Sequence, residues 1–122
     1  MTKEPVKVLK EMAGHPRRLS DLIGVSADSI VSKIVVDKPA GSITLFAFDE
    51  GQRLSEHTSP YDAFVQVLDG QVTITIGGQE HTLSSGQGVI MPALIPHSVR
   101  AQKAFKMLLT MIRGEKSEPD KN

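Results

Sequence analysis

Two histidines stand where a folded chain presents side chains for work. His57 lies in the loop-like run Gly51-Gln52-Arg53-Leu54-Ser55-Glu56-His57-Thr58-Ser59-Pro60, and His97 follows Pro96 at the start of an apolar, β-branched stretch. Both sit at element ends, where a rigid scaffold displays functional side chains. Imidazole is the commonest protein metal ligand and a general base near neutral pH, so the pair offers ligation or proton transfer. The plainer alternative is a hydrogen-bonded rim histidine beside a turn. His15 reads as a solvated turn residue, and His81 alternates with polar neighbours on a strand face; neither suggests a role. With no Cys, thiolate metal sites, cysteine nucleophiles and disulfides are excluded together. No glycine-rich phosphate loop occurs, and Ser84-Ser85-Gly86 lacks the pattern of a nucleophile elbow.

The elements that must hold these residues belong to one domain, since the chain is 122 residues long. Fourteen basic residues balance fourteen acidic ones, which leaves no field to hold a nucleic-acid backbone. Aromatic residues make up only 4%, too few for a base-stacking surface. Nucleic acid is therefore not expected as a partner. Neither is a membrane: apolar runs are short, and polar, charged residues follow Met1 where a signal segment would be apolar. The default expectation is a cytoplasmic protein.

Residues 1–28 read as an N-terminal arm, partly helical, because Val6, Leu9 and Ala13 recur at helical spacing before Gly14. From 29 to 113 the pattern is β throughout, with strands expected at about 29–36, 42–49, 63–68, 71–76, 79–83, 88–91, 97–101 and 105–112. Asp69-Gly70 suits a two-residue hairpin, Gly77-Gly78 repeats the device, and Lys38-Pro39-Ala40-Gly41 suits a looser turn, which together predict a meander. Pro92 and Pro96 bracket a loop at the end of a sheet. Residues 114–122 contain no apolar side chain after Gly114 and read as a disordered tail. An all-β fold of this many strands hides its edges as a closed barrel or a double-sheet jelly roll.

The segment GQRLSEHTSPYDAFVQVLDG, 51–70, resembles the first motif of the cupin superfamily, and GQGVIMPALIPHSV, 86–99, resembles the second. Gly51, His57, Gly70, Gly86, Pro92 and His97 agree with the motifs in register, and the fifteen residues 71–85 between them match the short spacing of small single-domain cupins. The resemblance covers about 29–113 and implies a double-stranded β-helix, the jelly-roll barrel of that family.

Carried over residue by residue, the resemblance makes His57 the first metal-ligand position and His97 the last. Ser59 stands at the second histidine position and Ala63 at the glutamate position, while Leu94 and Ala101 replace the Gly of Pro-x-Gly and the closing Asn. A divalent transition metal (Fe, Mn, Ni or Zn) would then need a substitute donor from Glu56, Asp62 or Gln66. Period-two alternation turns Gln66 away if Ala63 faces inward. Glu56 is the expected third ligand beside His57 and His97. The expected pocket has an apolar wall of Val65, Val67, Ile90, Met107, Leu109 and Met111, with Tyr61 and Gln66 at its rim. In the last strand Phe105, Met107, Leu109 and Met111 form the inward stripe. The expected function is binding of a small organic molecule or a divalent metal through His57 and His97. A metal-dependent cupin oxygenase or isomerase, or a purely structural or regulatory barrel, are the alternatives. A homodimer is expected as well, because one short helix cannot cover the open sheet edges.

Overall fold

The computed structural model describes residues 7–113. Ten strands run antiparallel: β1 (Lys7–Val8), β2 (Ile30–Lys38), β3 (Gly41–Phe48), β4 (Arg53–His57), β5 (Asp62–Asp69), β6 (Gln71–Ile76), β7 (Gln79–Ser84), β8 (Gly88–Met91), β9 (His97–Arg100) and β10 (Phe105–Ile112). They form a six-stranded sheet of order β1-β2-β3-β10-β5-β8 and a four-stranded sheet of order β4-β9-β6-β7. This is the jelly roll, a fold that buries one face of each sheet against the other.

Alternation decides which side chains enter. Along β5, Ala63, Val65 and Val67 are buried and Asp62, Phe64 and Gln66 are exposed. Phe105 and Met107 of β10 join Phe48, Val72, Ile74, Leu83 and Val99 in the core between the sheets. The rings of Phe48 and Phe105 pack at a 33° tilt with centroids 4.8 Å apart. Each such side chain contributes about 1.5–3 kcal/mol by leaving water. This end of the sandwich is filled. The register of β10 runs from Phe105, opposite Phe48, to Met111, opposite Ala63 and Ser42, so the other end carries smaller and more flexible side chains.

The outer face of the large sheet buries Leu45, Ala47 and Val35 under Leu9, Met12, Leu19, Leu22 and Ile23 of the arm. Here the sequence expectation of a helix needs correction. Lys7 and Val8 pair with Asp37 and Val36, and only one helical turn follows, with Ala13 donating its backbone N–H to the carbonyl of Leu9. Gly14 closes that turn at φ +76°. Leu9 and Ala13 bound that single turn, sheet pairing takes Lys7 and Val8 before it, and Val6 lies outside the described residues. The helix beyond that turn is a short 3-10 segment, Leu19–Asp21.

The meander is also corrected. Only β2–β3 and β6–β7 are hairpins between strands consecutive in the chain without an intervening segment. Gly77 and Gly78 have φ +57° and +82°, the positive pair that a two-residue hairpin needs. Asp69-Gly70 instead carries the chain from one sheet to the other: β5 pairs with β10 and β8, and β6 with β7 and β9. Gly70 has φ +84°, and a Cβ there would lie 2.7 Å from the Ala104 carbonyl oxygen. Glycine is required for that crossing as much as for a hairpin, which is why the local signal misleads. The strand β4 lies inside what reads as a loop, and the tail expected at 114–122 lies outside the described residues.

Between β8 and β9, Pro92–Ile95 make a turn in which Ile95 donates its N–H to the Pro92 carbonyl and Leu94 has φ +70°. Positive φ at the third residue suits glycine; Leu bears a penalty of roughly 1–2 kcal/mol. Leu94→Gly is therefore expected to raise stability by about 0.5–1 kcal/mol after the entropy cost of glycine, measured by urea denaturation. Gly70→Ala is expected to lower it by more than 1 kcal/mol, about the cost of an unsuitable φ. A neutral Gly70→Ala or a destabilised Leu94→Gly contradicts this account of the two turns.

Candidate functional site

His57 turns toward the mouth of the cavity through a register shift, while its side chain stays exposed. Leu54 pairs with Val99 and His57 with His97, so β4 spends three residues where β9 spends two. Strict alternation from Leu54 would turn Glu56 inward and His57 outward. The bulge reverses that order, a re-aiming that bulges commonly perform beside functional sites. His57 then lies across from His97, which β9 holds on its inner face two residues before buried Val99.

The two rings meet edge to face, with centroids 4.3 Å apart and Nε2 to Nε2 at 3.1 Å. Each Nδ1 is committed elsewhere. His57 Nδ1 donates to the Ser55 carbonyl at 2.8 Å, and His97 Nδ1 donates to the Ile95 carbonyl at 3.2 Å. A carbonyl oxygen only accepts, so in both neutral rings the hydrogen sits on Nδ1 and Nε2 presents a lone pair. Two converging lone pairs repel unless a proton, a hydrogen-bond donor or a cation occupies the space that they share.

Loop contacts hold this geometry. Leu94 donates its N–H to the Ser59 carbonyl at 2.7 Å, and Ala93 donates to Asp62 Oδ1 at 2.8 Å. The segment after His57 and the one before His97 are thereby stitched together. His97 is only 4% exposed. Burial lowers the pKa of His97 below its ordinary value of 6.5; the Ile95 carbonyl opposes the shift, and the neighbouring His57 adds to it.

The pair opens on a cavity of about 130 Å³ lined by Phe46, Leu54, Ser59, Ala63, Met91, Val99, Met107, Leu109 and Met111 as well as both histidines. A site of that size accommodates about one ring, since an engineered cavity near 150 Å³ binds benzene.

Of the residues expected at the site, His57 and His97 converge, and Met107, Leu109 and Met111 line the cavity as the inward stripe of β10. Others do not. Glu56 lies with Arg53, Ser55, Thr75, Ser98 and Arg100 in a depression on the outer face of the small sheet. Gln66 is exposed on the outer face of β5, opposite Gly88. Tyr61 is outside the lining, its backbone N–H bonded to Ser59 Oγ. Ile90 faces solvent at 59% exposure, and Val65 and Val67 are packed in the filled core. Asp62 is spent on the Ala93 backbone. Phe46, Leu54 and Met91 enter the lining without having been anticipated. Leu54 depended on the unseen strand β4. Phe46 sits in Ile43-Thr44-Leu45-Phe46-Ala47-Phe48, where both faces are apolar and alternation is invisible.

For a hard divalent ion the residues do not fit. Among the described residues no three His, Cys, Asp or Glu side chains cluster to hold a metal. Fe, Mn and Ni sites draw on carboxylate or further imidazole donors, and here Ala63 and Ser59 stand where those would be.

Comparison with known proteins places these features in a lineage. A family model described as "Cupin domain" matches residues 44–113. A polyketide synthase, CurC, from Streptomyces cyaneus is 28% identical over 93 residues, 75% of this chain and 57% of that one, so the chain spans little more than half the length of this curated relative. A conserved protein of unknown function from Streptococcus pyogenes has a solved structure with TM-score 0.76 and 37% identity, over 80% of this chain and 85% of that one. A cupin superfamily protein from Desulfitobacterium hafniense superposes with TM-score 0.79 at 25% identity, over 89% of this chain and 98% of that one.

Because the folded state resists protonating His97, the unfolded chain binds more protons as pH falls below about 6.5. Stability is therefore expected to be highest above that value and to fall with pH beneath it. The fall in Tm of chelator-treated protein between about pH 7 and pH 5 should be shallower in His97→Gln; identical slopes would remove His97 as its source.

Proposed function

This chain belongs to the cupin family, and within it we propose that the barrel binds a small, largely apolar organic molecule by a single acidic hydroxyl. The observation that carries the reading is the pair of Nε2 atoms, 3.1 Å apart, on two histidines that line an apolar cavity. What complements two acceptors is a donor, and an enol or phenol O–H is a strong one. An aliphatic wall takes the body of the molecule, which matches the usual recipe of an apolar site with few polar groups. The cavity volume limits the enclosed part to about one ring. The polyketide synthase relative supports this class, since polyketides carry enolisable carbonyls on apolar skeletons.

Chemistry on such a ligand is a second reading, supported by the depressed pKa of His97. A buried imidazole that is a free base at neutral pH is placed to take a proton from an enol or from a carbon beside a carbonyl. An isomerisation or cyclisation would fit that capacity. A metal-dependent oxygenase is the less supported enzyme reading, because among the described residues no carboxylate lines the cavity.

Homodimerisation is part of the same proposal. On the outer face of the large sheet, Phe64 and its cross-strand partner Ile90 are 39% and 59% exposed, and Ile112 nearby is 62% exposed. Apolar side chains grouped on a sheet face favour a partner surface. Sedimentation at micromolar concentration should give a dimer that Phe64→Glu with Ile90→Glu dissociates; a monomer in the unaltered chain would reject it.

The binding proposal is tested by a thermal-shift screen of single-ring phenols and enols. A hit should raise the Tm of the unaltered protein far more than that of His57→Ala or His97→Ala. Its O-methyl ether should bind about ten- to a hundredfold more weakly, since the buried His97 acceptor then goes unpaired. Equal shifts in all three proteins, or an ether that binds as well as its parent, overturns the proposal.

A further inference from the structure

The position that lacks a carboxylate is flanked by sulfur. On the inner face of the large sheet, Ala63 of β5 pairs with Met91 of β8 on one side and with Met111 of β10 on the other. The three residues form a row across adjacent strands, so the same faces point into the cavity. Met91, Met107 and Met111 all line it together with His57 and His97. A methionine side chain is long and unbranched, with a polarisable thioether near its end. A row of methionines on a core face is ordinarily filler. What distinguishes this one is its company, because these methionines line the same small cavity as the two histidines whose Nε2 atoms converge.

The His57 and His97 geometry independently points to a cation. Each ring donates its Nδ1–H to a backbone carbonyl, the arrangement that orients metal-binding histidines and raises their basicity. The Nε2 atoms are 3.1 Å apart, close to the separation of two nitrogens each about 2.0–2.1 Å from a shared ion. The remaining donors in reach decide which ion. Hard and borderline divalent ions want oxygen or further imidazole, and soft thioethers select Cu(I).

We propose that the cavity is a site for a soft monovalent cation, Cu(I), held by Nε2 of His57 and His97 and by the thioethers of Met91 and Met111. The loss of the carboxylate position to Ala63 then changes the ion chosen rather than abolishing binding. The site uses the same two imidazoles as the proposed hydroxyl ligand but does not depend on any organic molecule, so either proposal can fail alone.

The test is titration of purified, metal-free protein with Cu(I) under anaerobic, reducing conditions against a Cu(I)-specific chromogenic chelator, with Zn(II) titrated separately. One equivalent of Cu(I) should bind per chain, with sulfur in the first coordination shell by X-ray absorption. Met91→Leu with Met111→Leu conserves volume, so the fold is retained; the thermal melt of the metal-free double variant checks it. That variant should lose at least tenfold in Cu(I) affinity, as should His57→Ala with His97→Ala, while Zn(II) should bind the unaltered protein far more weakly than Cu(I) does. Cu(I) affinity unaffected by the leucines, a shell without sulfur, or no stoichiometric Cu(I) overturns the proposal. In that event the methionines are packing alone, and the phenol and methyl-ether comparison still judges the hydroxyl site.

Discussion

Two imidazole nitrogens, each stripped of its hydrogen by a carbonyl on the other side of its ring, face one another at 3.1 Å. The mutual repulsion of their lone pairs is the constraint from which the rest of the site follows. It is tolerated because the surrounding structure over-determines the ring positions: the β4 bulge turns His57 inward, Pro96 precedes His97, and the Leu94 and Ala93 N–H groups tie the two approaching segments together. An arrangement of this kind has low energy only when something electropositive joins it. A proton, a hydroxyl or a soft cation each satisfies the requirement, and the apolar wall decides how much else may enter.

The sandwich supports that site by being uneven along its length. Phe48 and Phe105 close one end with packed, tilted rings, and the register of β10 delivers Leu109 and Met111 to the other. Ala63 in the middle of the row removes side-chain volume where a longer residue would fill the space. The outer face of the large sheet is covered by the arm, which frees β3 to be buried on both sides and to contribute Phe46 to the cavity. Strain accumulates in the same neighbourhood: Leu94 holds a positive φ in the turn that leads to His97.

Much of this was legible in the chain before folding. The strands at 71–76, 88–91 and 105–112 fall where the sequence put them, because β-branched runs bounded by Gly, Pro or Asp leave little choice. Convergence of His57 and His97 and the inward stripe of β10 were also readable, the first from the motifs and the second from alternation. What was hidden has a common cause. Arg53–His57 is polar and its alternation is broken by the bulge, so neither the strand nor the exclusion of Glu56 could be inferred from a period of two. Gly70 serves a crossing between sheets with the same positive φ that a hairpin uses, and only the long-range pairing of β5 with β10 tells them apart. The apolar spacing at Leu9 and Ala13 is consistent with one helical turn, yet pairing with β2 claims Lys7 and Val8.

Two of the four ring nitrogens, the Nδ1 atoms, carry hydrogen and the two Nε2 atoms do not, and nitrogen NMR reads that directly. In metal-free, ligand-free protein at about pH 8, well above the ordinary histidine pKa, long-range proton–nitrogen correlation spectra should show His57 and His97 both as the Nδ1–H tautomer with unprotonated Nε2. Exposed His15 and His81 in the same sample supply the reference for an unconstrained ring. Either site histidine found with its hydrogen on Nε2 would contradict the account, because the lone pairs would then not converge and neither a hydroxyl nor a soft cation would have reason to bind there.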